Sequence, residues 1–148
     1  MSSRTEKAND LFEKHRYHCS QSVLGAFAED LGMTQEQALK ISGCFGGGMR
    51  HGEVCGCVTG ALMALGLKYG HCRPDDMASR QKANDVAVQL MEAFKAENGS
   101  YLCKELLGYD FSKSEEAKII AESKVFLNIC PHLIASATEI TEKLIIEA

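Results

Sequence analysis

Apolar residues recur at every third or fourth position along most of this chain, and strict apolar–polar alternation is nearly absent, so helices are the elements it can build. Val23, Leu24, Phe27 and Leu31 make one stripe, and Ala83, Ala87, Leu90, Met91 and Phe94 make another. Leu133, Ile134, Ala137, Ile140, Leu144 and Ile145 make a third. The punctuation agrees. A first helix is expected over Glu6 to Arg16, a second from Ser20 to Leu31 with Gly32 as its stop, and a short third opened by Thr34 and Gln37 and reaching Ile41. From Cys57 to Tyr69 the sequence is apolar nearly all round and rich in Gly and Ala, which predicts a central buried helix ended by Gly70. Pro74 with Asp75 and Asp76 opens a helix to Asn98 and Gly99, and a turn over Cys103 to Leu107 stops at Gly108. Ser112 and Glu115 are placed to cap a helix through Ile119 and Ile120, and the last helix is expected to start at Pro131. The expected fold is all-α: a compact helical bundle with a Gly-rich cysteine loop before its central helix, formed by residues 1–148 as one domain.

A chain of 148 residues with 45% hydrophobic and 24% charged positions can bury a core without disulfide staples and is not of disordered composition. A net charge of -4 and a pI near 5.7 provide no basic field for nucleic acid or anionic lipid, so neither is an expected partner. Val54 to Leu67, the longest nearly uncharged run, is 14 residues, short of the roughly 20 that a membrane span needs. The opening MSSRTEKAND has no apolar core of signal-peptide length, and a cytoplasmic location is expected.

Seven cysteines in such a setting read less naturally as structural bridges than as reactive thiols or metal ligands, although free Cys often simply fills a core. Their placement decides. Cys19 precedes the second helix, Cys55 and Cys57 bracket Gly56 at the entry to the central helix, Cys103 sits in a first turn, and Cys130 occupies the cap position before Pro131. The free N–H groups of a helix start favour a thiolate by about 0.3 to 1 kcal/mol, and a thiolate is both the nucleophile and the metal ligand. Cys55 is the expected activated thiolate. His51, His71 and His132 lie near cysteines in sequence but read as ordinary surface or satisfied histidines, and Arg50 and Glu53 flank the loop as charges that pair or complement a thiolate.

Familiar templates fail. Thioredoxin chemistry needs Cys-x-x-Cys in a βαβ unit, and here Cys55-Gly-Cys57 stands in a helical one. Zinc modules need paired Cys or His spacings that are absent. The loop Gly43 to Gly52 has neither a P-loop nor a dinucleotide pattern, so Gly46, Gly47 and Gly48 are read as allowing backbone to approach a sulfur or a cofactor. Four thiolates gathered in a low-dielectric interior would repel one another. They must therefore be protonated, bridged, or held ionised by a cation or an iron–sulfur cluster. The reading is a redox-active site of Cys19, Cys55, Cys103 and Cys130, working as a dithiol/disulfide or as a thiolate-bound metal or iron–sulfur cluster, with Cys57 as a fifth candidate. Two alternatives stand beside it: a metal-binding domain without redox turnover, and a helical interaction domain with buried thiols. A redox partner protein and self-association are the expected contacts.

The run Phe45-Gly-Gly-Gly-Met-Arg-His-Gly-Glu-Val-Cys55-Gly-Cys-Val-Thr-Gly60, followed by Leu65-Gly-Leu-Lys-Tyr-Gly70, resembles the C_GCAxxG_C_C family, named for a redox role. The likeness covers nearly the whole chain. Its four separated cysteines match Cys19, Cys55, Cys103 in Cys-Lys-Glu-Leu-Leu-Gly, and Cys130 in Ile-Cys-Pro. Cys57 departs from the pattern, standing where a small Ala-like residue is expected, and Cys44 and Cys72 are extra. The resemblance implies a small helical redox protein with either dithiol or metal-centred electron transfer.

Overall fold

Eight α-helices account for the architecture in a computed structural model that describes residues 2–147. They are α1 (Ser3–Glu13), α2 (Cys19–Phe27), α3 (Gln35–Ile41), α4 (Gly56–Tyr69), α5 (Met77–Asn98), α6 (Cys103–Leu107), α7 (Ser114–Ser123) and α8 (Phe126–Glu147). The all-α expectation holds. α4 is the hub, packed on α2, α5 and α8, while α1 closes the other side against α2 and α8. Its all-round apolar sequence follows from that position, with Val58, Ala61, Ala64 and Leu65 at most 2% exposed. Phe27, Leu90, Phe94, Ile120 and Ile134 bring the neighbouring helices into the same core. No described helix is long and apolar enough to cross a membrane.

Local chemistry sets most boundaries. Ser2 Oγ accepts from Thr5 N–H at 3.1 Å, Thr34 Oγ1 from Gln37 N–H at 3.1 Å, and Asp76 Oδ1 from Ser79 N–H at 3.1 Å, so α1 and α5 start at those caps, not at Glu6 and Pro74. α1 also ends earlier than expected, because Arg16 takes a left-handed φ of 61° and turns the chain into α2. α2 stops at Phe27, and a 3-10 turn over Glu29–Leu31 carries the chain to Gly32, the expected stop, at φ 90°. Ser112 does not cap α7. Its N–H and hydroxyl both donate to Asp110 Oδ1, at 2.8 and 2.6 Å, and the helix begins two residues later.

The largest departure is α8, which begins at Phe126 instead of Pro131. A proline in the second turn removes one backbone hydrogen bond. The extra turn is held by Phe126, which meets Phe12 edge-on at 6.5 Å. Cys130 is therefore inside the helix and not at its cap.

Candidate functional site

The crossing of α2 over α4 brings the first sulfurs together. A Cβ on Gly60 would stand 2.5 Å from the Ser20 carbonyl oxygen, and one on Gly56 would stand 2.5 Å from Cys19 Sγ. These two glycines, one helical turn apart, let the backbones close until Cys19, the first residue of α2, lies against Cys55 and Cys57 at the start of α4. Ser20 Oγ donates to the Ser42 carbonyl at 2.8 Å and fixes that end of α2 from the other side.

A single β-bridge positions the next thiol. Val54 pairs antiparallel with Leu102, with Cys55 N–H donating to the Tyr101 carbonyl at 2.7 Å and Cys103 N–H to the Glu53 carbonyl at 2.7 Å. The starts of α4 and α6, each bearing a cysteine, are thereby clipped side by side. Between α3 and this bridge the glycine loop makes a left-handed turn. Gly47, Gly48, Met49 and Arg50 have φ of 64°, 59°, 58° and 58°. Glycine is required at 48, where a Cβ would lie 2.4 Å from Glu53 N. Met49 and Arg50 hold the same conformation at a cost of roughly 1 to 2 kcal/mol each.

Cys19, Cys55, Cys103 and Cys130 all line one cavity of about 560 Å³. Cys57 is fully buried behind them, and Cys44 and Cys72 are exposed. Of the three loop glycines, Gly47 lines the cavity; Gly46 makes room for the His18 ring, and Gly48 serves the turn. The thiols are not equivalent. Cys19 is held well below the usual thiol range because the Cys55 and Cys57 thiols hydrogen-bond to its sulfur, with smaller help from the Gly47 backbone and the charge of His18 against the penalty of burial. Cys55 is pushed up by that hydrogen bond to Cys19, and Cys57 by burial and then by Cys19 and Cys55. Burial raises Cys103 to about 12 and raises Cys130 likewise, the negative charge on Cys19 adding to both. The directions differ from the expectation for Cys55, whose thiol is pushed up while that of Cys19 is pushed down.

The match to known proteins follows these same residues. Residues 17–144 match the family model described as "Putative redox-active protein (C_GCAxxG_C_C)". The chain belongs to that family. The match spans α2 to α8, the elements that bring the four cavity cysteines together. No curated protein and no solved structure matches the chain. Four thiols are the donor type that soft metals and iron–sulfur clusters take. Among the described residues, no group of three or more His, Cys, Asp and Glu is arranged to hold a metal ion. The Val54–Leu102 bridge and the cations Arg16 and Lys124 beside the cavity leave no mark in the sequence, whereas Arg50 stands out there as a charge flanking the glycine loop.

Proposed function

We propose that this protein is a thiol–disulfide redox protein, working as one unit, in which Cys19 is the nucleophile and Cys55 the resolving thiol. The observation that carries the reading is geometric: the α2–α4 crossing seats Cys19 Sγ against Gly56, next to Cys55, and both cysteines line the wall of one cavity. A thiolate attacks a disulfide, and the neighbouring thiol then releases the mixed disulfide. In the forward step Cys19 attacks one sulfur of a partner disulfide, and the bond between the partner's sulfurs breaks. The departing sulfur takes the Cys55 proton, and Cys55 closes on Cys19 to expel the second partner sulfur. The protein loses two electrons and the partner disulfide gains them. Cys57 supports Cys19 from behind, while Cys103 and Cys130 keep the cavity wall neutral and soft.

The test is to oxidise the reduced protein with one equivalent of a small disulfide and map the linkage by mass spectrometry. A Cys19–Cys55 bond that vanishes in Cys19→Ser and Cys55→Ser supports the proposal, and a linkage between other cysteines overturns it. A second reading, a thiolate-bound metal or iron–sulfur centre, draws on the donor type of the four sulfurs lining one cavity and requires them to move closer, since no three donors among the described residues are arranged to hold a metal ion. Iron, zinc and sulfide analysis of protein purified without oxygen separates the two. A metal bound in stoichiometric amount and lost in Cys103→Ser would replace the dithiol proposal.

A further inference from the structure

The described residues include only four non-glycine positions with left-handed φ: Arg16, Met49, Arg50 and Lys124. Three of these four are cations, and all three line the cavity that holds the cysteines. Arg16 ends the turn after α1, where Tyr17 N–H reaches back to the Leu11 carbonyl at 3.1 Å, and Lys124 ends α7. Both are places where glycine is the usual residue. A helix dipole rewards a cation at such an end. It does not account for Arg50, which lies in the left-handed glycine turn, nor for the convergence of all three on one opening.

Strained backbone retained at one site signals function. None of the three cations is in a salt bridge among the described residues, whereas six other lysine and arginine side chains are. The Arg50 guanidinium carbon instead sits over the Phe111 ring, 4.1 Å from its centre, a cation–π contact that helps hold the charge at the cavity wall. Glu13 is the single carboxylate lining the cavity, so the opening is cationic. Deeper in, the walls are apolar, with Phe12, Leu107, Ile120, Phe126 and Leu133 around the thiols. A volume of about 560 Å³ is that of a small-molecule site.

We propose that the substrate is a small organic disulfide with an apolar body and an anionic group, its anion held by Arg16, Arg50 and Lys124 and its sulfurs presented to Cys19. This rests on the thiol-exchange reading above. The reaction is the balanced one already given: the protein dithiol becomes the Cys19–Cys55 disulfide, and the substrate leaves as one thiol and one thiolate. The cations make it selective for an anionic substrate by attracting its charge to the opening.

The test uses reduced protein carrying Cys44→Ser and Cys72→Ser, which removes the exposed thiols. Two probes are compared: dianionic 5,5′-dithiobis(2-nitrobenzoate) and uncharged 4,4′-dithiodipyridine. Adding Arg16→Gln and Lys124→Gln is expected to slow the anionic probe about tenfold and leave the uncharged one unchanged. Raising the salt concentration should reproduce that loss with the cations intact. Equal effects on both probes, or none, overturn the anion assignment while leaving thiol exchange standing. If neither probe oxidises Cys19 and Cys55, the thiol-exchange reading falls and this inference with it.

Discussion

Two glycines of α4 should respond in opposite directions to the same substitution, and the site depends on one of them. Replacing a helical glycine by alanine gains about 0.5 to 1 kcal/mol from backbone propensity alone. At Gly66 an added Cβ meets nothing within 4 Å, so Gly66→Ala should be stabilising by up to that amount. At Gly60 the added Cβ would lie 2.5 Å from the Ser20 carbonyl oxygen and 3.2 Å from two more atoms of the same residue. Those are backbone atoms of a helix fixed on both sides, so they cannot swing away. Overpacking of this kind costs about 1 to 3 kcal/mol, which outweighs the propensity gain over most of that range and leaves Gly60→Ala less stable by up to about 2.5 kcal/mol. The propensity gain is common to both, so the variants should differ by the overpacking cost, about 1 to 3 kcal/mol, or about 0.5 to 1.5 M in urea midpoint for a denaturant slope near 2 kcal/mol/M. Because Ser20 follows Cys19, pushing α2 away at Gly60 should also loosen the Cys19–Cys55 contact and slow alkylation of Cys19 at neutral pH. Unfolding curves in urea, with unchanged slope, are the assay. A Gly60→Ala protein as stable as wild type would refute the close α2–α4 crossing and the site built upon it.

Removing the Cys57 thiol takes one donor from the Cys19 sulfur, so Cys57→Ala should raise the Cys19 pKa and shift its alkylation profile to higher pH, while the Cys19–Cys55 disulfide still forms. A profile that does not move shows Cys57 to be packing only. Stability should pass through a maximum near the ordinary thiol pKa of about 8.5. The depressed Cys19 contributes stability that is complete above that pH and is lost as pH falls through its folded pKa; Cys103, raised to about 12, contributes stability that is complete below about 8.5 and is lost as pH rises toward 12. Urea midpoints of the reduced protein between pH 6 and 10 check this, and a monotonic trend contradicts it. The reduction potential of the Cys19–Cys55 couple, measured against glutathione, should be more oxidising than about −270 mV, and a value well below that excludes selective stabilisation of the reduced form.

Helix identity was legible because each stripe repeats over several turns, and the α5 face of Leu90 and Phe94 ends at Gly99 as its pattern predicts. Boundaries were less so, since a cap depends on one side chain and competing caps stand nearby, as Ser112 does beside Asp110. Which four cysteines share a cavity was readable from their places near helix starts and from the family pattern. Which thiol has its pKa lowered was not. Cys19 and Cys55 both begin helices, and the asymmetry comes from contacts between residues 36 positions apart in sequence. The Val54–Leu102 bridge is one residue long on each side, so it leaves no periodic trace. Arg16 and Lys124 escaped notice for a similar reason: they join Arg50 only in three dimensions.

The devices around Cys19 share a direction. Gly56 vacates the space its sulfur fills, the Gly47 backbone and two thiols bond to it, and the left-handed turn that presents Gly47 is held at the expense of strain in Met49 and Arg50. Each is a favourable contact to a charged sulfur, and each weakens when that sulfur becomes part of a neutral disulfide. On the proposed thiol-exchange reading, the scaffold would stabilise the reduced, ionised state over the oxidised one, and stabilising the reduced form would make the disulfide the better oxidant. Burial adds a second bias, because Cys103 and Cys130 stay neutral beside Cys19 and spare it further repulsion. An oxidised protein of this design would draw electrons readily from a thiol entering the cavity. The cations at the opening would then act on both halves of the exchange, attracting an anionic disulfide when the protein is reduced and an anionic thiol when it is oxidised.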